Sequence, residues 1–196
     1  YHSPRASFTS YLYTILKVLH TTFEIKLDDI TESIIEMEKT RVKINSSNLS
    51  KENPALQLAE RITNIPVIYY PFGLQSAAIR FKNSLQENTK IHAMVENIVE
   101  TCHNGIVSWE KTSNVQPILI QGVDDFIKTK ERWKIMKEYF KNNKINYLET
   151  ISVTGSILSK IINLIYILDY SSIYCAVMTK IDPTPVKSIN FVKSKL

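Results

Sequence analysis

The sequence predicts an α/β domain with a mainly parallel sheet flanked by helices. Short apolar runs at Ile65–Tyr70, Pro117–Gln121 and Asn146–Val153 have the length of buried strands. Around them, apolar residues recur at helical spacing, and strands alternating with amphipathic helices imply a parallel sheet. The chain has 196 residues, 44% hydrophobic and 22% charged, which is ample for one packed core.

The elements follow in order. Phe8, Tyr11, Leu12, Ile15, Leu16 and Leu19 mark a first helix, and Ile30, Ile34, Met37 and Arg41 a second. Asn45–Asn48 is a polar loop. Asn53-Pro54 reads as the N-cap and first residue of a short helix carrying Leu56, Ala59 and Ile62. The first strand, with Pro66 at its edge, leads through Pro71-Phe72-Gly73 into a helix bearing Ala77, Ala78, Phe81 and Leu85. Phe126, Trp133, Met136 and Phe140 give the helix after the second strand. A long helix from about Ser156 to Thr179 follows the third, and Asp182-Pro183-Thr184-Pro185 stops it. A short helix from Val186 to Lys193 closes the pattern.

Composition excludes several functions. The four glycines, Gly73, Gly105, Gly122 and Gly155, are too far apart for a dinucleotide or nucleoside-triphosphate loop. Two cysteines, Cys102 and Cys175, cannot build a disulfide framework, so a cytoplasmic protein is expected. Net charge is +5 and mixed in sign. The densest basic stretch, Lys128 to Lys137, is interrupted by Glu131 and reads as a solvated helix face, so no nucleic acid is expected. Lys160, Asn163 and Asp169 break the apolar run Ile157–Met178, which reads as a buried helix with no membrane role. A start at Tyr1 suggests a processed chain or part of a longer one.

Local chemistry alone is inconclusive. Cys102 and His103 are adjacent and point apart, and His92 and His103 match no zinc spacing, so neither thiol catalysis nor a metal is expected. Glu87 is unusual in standing at the end of a helix, where a negative charge opposes the dipole.

Several ordered blocks are more specific. They are Pro66 to Tyr70, Ala78-Ile79-Arg80-Phe81-Lys82, Glu87-Asn88-Thr89-Lys90 and Glu100 to Trp109. Pro4-Arg5-Ala6, Asp169 to Ala176, and Asp182 to Val186 followed by Ile189 and Lys193 complete the set. Together these resemble the C-terminal half of the bifunctional phosphoglucose/phosphomannose isomerases, built from sugar isomerase (SIS) domains. Departures from that pattern are Val99, Cys102, Gly105 (acidic in the family) and Ser108.

The resemblance implies an SIS-type three-layer sandwich. Residues 1–63 would form a helical segment leading from an N-terminal SIS domain, and residues 64–196 the C-terminal SIS domain with a helical tail. It implies metal-free, cofactor-free interconversion of glucose 6-phosphate or mannose 6-phosphate with fructose 6-phosphate through a cis-enediol. Glu87 would be the base, His103 would assist ring opening, Arg5 would steady the enediolate, and Lys193 would act at the ring oxygen. Thr184 is the candidate for contacts near C2. A carboxylate with this role is expected to be partly buried in a cleft. The family also implies a homodimer, with the histidine reaching a neighbour's site, and phosphate-binding loops in the preceding domain. A non-catalytic sugar-phosphate sensor is the alternative, as is a half-domain that only completes a dimer. A sensor has no need of both Glu87 and His103.

Overall fold

A computed structural model describes residues 5–196, so Tyr1 and Pro4 lie outside the described residues. Its centre is a parallel four-stranded sheet in the order β2-β1-β3-β4, with β1 at Ile65–Tyr70, β2 at Met94–Asn97, β3 at Val115–Gln121 and β4 at Leu148–Ile151. Both central strands contain a proline, yet no pairing to an outer strand is lost. Pairing of β1 with β2 starts at Val67, one residue after Pro66, and pairing of β3 with β4 starts at Ile118, one residue after Pro117.

Alternation along the buried strands separates two cores. Ile68, Tyr70, Ile118 and Ile120 face Phe81 and Leu85 of α4 (Gln75–Thr89) and Leu164, Ile165 and Leu168 of α7 (Ile157–Met178). Val67, Tyr69 and Leu119 face Trp133, Met136 and Phe140 of α6 (Ile127–Asn142). Helices thus cover both faces, which is the expected three-layer sandwich. The fourth strand, β2, was not expected. It is short, half polar and partly exposed at the sheet edge, so no apolar run marks it. It runs into a single turn, α5 (Ile98–Thr101), and a 3₁₀ turn at Gly105–Glu110, also unforeseen. β4 is shorter than the expected 146–153.

Before the sheet come α1 (Phe8–Leu19), α2 (Leu27–Ile44) and α3 (Pro54–Arg61). Asn53 caps α3 as expected, its Oδ1 accepting from Ala55 N and Leu56 N at 3.0 Å each. Both α2 and α3 pack on the side of α7 away from the sheet, where Ile44, Ala55 and Ile167 form a third cluster. This explains why α7 is apolar nearly all round: it is long and apolar enough to span a bilayer, but it is sandwiched between helices and sheet. The inward face of α2 is only partly apolar: Ile44 is buried and Ile30 and Met37 are half-buried, but polar residues share it. Ile34 is exposed, whereas buried Ser33 and Thr40 bond Tyr13 and Asn163.

The start of α7 has a remote cap. Besides its own Ser156, the Glu32 carboxylate of α2 accepts from Ser156 N (2.9 Å) and Ser159 Oγ (3.0 Å). These bonds hold the Glu32 carboxyl below its usual range. Their contribution is therefore present above the ordinary glutamate pKa and lost as pH falls through the lowered one. Gly155 makes room for this cap at φ +110°, and a Cβ there would collide with the Glu32 carboxylate. Gly155→Ala is expected to lower the urea midpoint at neutral pH, the strained backbone alone costing about 1–3 kcal/mol and the displaced cap adding to it. An unchanged midpoint would show that the cap carries no stability.

Candidate active site

A helix that returns from one parallel strand to the next runs against them, so α4 ends at the amino edge of the sheet. Glu87 is in its last turn. The opposition to the dipole is relieved twice. Lys90, closing the helix in the left-handed region at φ 60°, donates from Nζ to Glu87 O and to Pro185 O (2.8 Å). Arg5 Nε lies 3.1 Å from Glu87 Oε2, with both side chains about one-third exposed.

Arg5 is the hub of this edge. Its Nη1 donates to Asn88 Oδ1 (2.8 Å) and Pro183 O (2.9 Å), and its Nη2 to Thr184 O (3.2 Å). Among the described residues, three of its five N–H groups are thus hydrogen-bonded to protein acceptors, Nε stands beside the Glu87 carboxylate as an ion pair, and one N–H on Nη2 is left over. Arg80 fixes the main chain of the hub: its Nη2 donates to Arg5 O (3.0 Å), while Nε and Nη2 reach Asp169 Oδ2 at 2.9 and 2.6 Å. Ser84 Oγ donates to Asp169 Oδ1 (2.8 Å). Burial still pushes the Asp169 carboxyl up, against the pull of Arg80.

Two cavities flank the hub. A groove of about 520 Å³ runs along α4 past Ser76, Ile79, Asn83 and Glu87 to Phe8. On the other side, an open pocket of about 450 Å³ is lined by Asn88, Tyr166, Tyr170 and Thr184. The site is therefore at the amino edge, although ligands of open α/β sheets are expected at the carboxyl edge.

The structure brings Arg5, Glu87 and Thr184 together, the last through its carbonyl and not its hydroxyl. His103 and Lys193 are placed elsewhere. His103 is exposed just after α5, beyond the carboxyl end of β2. Its surroundings are ordered: Thr101 Oγ1 donates to Glu96 Oε2 (3.0 Å), and a Cβ on Gly105 would lie 2.5 Å from that oxygen. Nearby, Trp109 Nε1 donates to Tyr69 Oη (2.9 Å), and burial pushes the Tyr69 hydroxyl up to about 12. Lys193 is exposed in the last turn of α8 (Lys187–Lys193) and forms no ion pair among the described residues.

Comparison with known proteins gives this arrangement its context. Residues 51–196 match the model of the bacterial phospho-glucose isomerase C-terminal SIS domain. The chain belongs to this family. A bifunctional phosphoglucose/phosphomannose isomerase of Caldicellulosiruptor bescii is 29% identical over 175 residues, 86% of this chain and 52% of that protein. The chain spans about half the length of the curated relatives it matches. A glucose-6-phosphate isomerase-like protein from Thermus thermophilus superimposes with a TM-score of 0.64 at 15% identity, over 80% of this chain and 52% of that one. The sugar isomerase domain of an RpiR transcription factor from Sphaerobacter thermophilus gives 0.56 at 11%, over 87% of this chain and 98% of that one. At such identities these structures show the SIS fold alone.

In this SIS domain, sequence patterns did not single out Asn88, Arg80, Asp169 or Ser172. They lie within the blocks that resembled the family, but their contacts with Arg5 and with one another span 75 or more positions, beyond any periodicity.

Proposed function

We propose that this SIS domain supplies the proton-transfer half of an aldose–ketose isomerase acting on glucose 6-phosphate and fructose 6-phosphate, and on mannose 6-phosphate as well. The observation that carries this is the half-buried Arg5–Glu87 pair on the α4 groove. A carboxylate beside a fixed cation suits abstraction of a proton next to a carbonyl, because the cation stabilises the enediolate that results. Glu87 moves the proton between C2 and C1, and the spare Arg5 N–H faces the developing charge. No step calls for a metal or cofactor. The Thr184 segment borders the site where C2 contacts would set glucose or mannose preference.

His103 acts in ring opening from a second copy of the chain, since within one copy it stands at the other edge of the sheet from Glu87. A homodimer is therefore part of the proposal, with Lys193 meeting the ring oxygen when the tail closes. The sugar phosphate is gripped by a preceding SIS domain, residues 1–63 forming the approach to the domain at 64–196. A cytoplasmic location fits the sparse, unpaired cysteines.

The test is a coupled assay of the full-length gene product for fructose 6-phosphate, starting from glucose 6-phosphate and from mannose 6-phosphate, with a chelator present. Turnover that ignores the chelator is expected. Sugar-phosphate binding without turnover would replace the enzyme with a sensor.

A further inference from the structure

Asn88 is buried, 6% exposed, and lies between Arg5 and the middle of α7. Hydrogen-bond bookkeeping fixes which way its amide points. Ser172 Oγ has one hydrogen, which it gives to Asp169 O at 2.7 Å. Toward Asn88, 2.8 Å away, that hydroxyl can only accept, so the amide turns Nδ2 to Ser172 and Oδ1 to Arg5 Nη1. A carboxylate in the same place would meet a hydroxyl with no hydrogen to give. It would also offer Arg5 a second anion in competition with Glu87.

We propose that Asn88 is a positioning residue: its amide, oriented by Ser172, sets the Arg5 guanidinium so that Nε faces Glu87 and one Nη2 N–H stays available to substrate. Arg5 is then held at both ends, its carbonyl by the Arg80–Asp169 pair and its fork by the Ser172–Asn88 pair. The inference deepens the isomerase proposal and rests on it for the substrate, but not for the geometry.

Two measurements test it. The Arg5 Nη1–H signal in low-temperature ¹H–¹⁵N spectra of the 196-residue chain, assigned with Arg5→Lys, is expected to be slow-exchanging in the wild type, because Nη1 is the nitrogen bonded to Asn88. In Asn88→Ala and in the milder Ser172→Ala it should broaden into solvent exchange. An unchanged signal in both variants overturns the proposal, whether or not the protein turns over any sugar. In the full-length enzyme, Asn88→Ala is expected to lower kcat about 10- to 50-fold with KM within about threefold. In an Arg5→Ala background the same change should cost less than about twofold, because residues acting through one group are not additive. Losses that multiply in the double variant would assign Asn88 a general structural role and refute positioning. A wild type without turnover would count against the isomerase proposal, leaving the spectra to decide on Asn88.

Discussion

Glu87→Gln is expected to lower kcat for glucose 6-phosphate by about 10³-fold or more, with KM nearly unchanged. The substitution keeps the shape and leaves Arg5 an oxygen to pair with, so the 3.1 Å contact and the groove survive. What it removes is the basic lone pair proposed to take the proton, because a side-chain amide is not a base at any working pH. Binding of the sugar does not use that lone pair, which is why the loss falls on kcat. Exchange of the C2 hydrogen with solvent deuterium reports the same step without coupling enzymes. Both rates should fall together. Exchange that persists in Glu87→Gln would place the base on another residue.

The second large effect is on stability. Arg80→Ala is expected to cost about 2–4 kcal/mol at pH 7, since it leaves the mostly buried Asp169 carboxylate with Ser84 as its remaining side-chain partner. The guanidinium also lies 4.0 Å over the Phe8 ring, so packing of α1 weakens with it. The pH dependence has a definite sign. Burial raises the folded Asp169 pKa above its unfolded value, and losing Arg80 raises it further. The folded variant then keeps a proton that the unfolded chain releases, so stability is retained below the unfolded aspartate pKa and lost as pH rises through the folded one. Urea unfolding at pH 4 and pH 7 should show the larger deficit at pH 7, and Asp169→Asn in the same background should reduce it. Equal deficits at both pH values would show that the charge is not responsible.

Much of the scaffold was legible because each signal was local. Ile65–Tyr70 is apolar on both faces, Asn53-Pro54 starts a helix with its own side chain, and Ser156 and Thr179 bound α7 as expected. The failures were equally physical. Met94-Val95-Glu96-Asn97 is a strand because β1 pairs with it, not because its residues favour one. The packed face of α2 is read through hydrogen bonds of Ser33 and Thr40 that no hydrophobic pattern contains. At the site, resemblance pointed to Arg5, Glu87 and Thr184, while the residues that hold Arg5 emerged only from long-range geometry. For His103 the sequence named a residue without a place, and topology set it at the far edge of the sheet.

Arg5 touches Thr184 across 179 positions of sequence, through a solvent-exposed hydrogen bond from its guanidinium to the Thr184 carbonyl. Closing so long a loop brings no reward until the sheet and α7 are in place, so this clasp forms late in folding. The proposed chemistry is thus tied to completion of the fold: an intermediate with an intact sheet but with the whole Arg5 hub unformed would hold Glu87 without its cation. Such a chain would be compact and protected from hydrogen exchange over most of its length, yet silent as a catalyst.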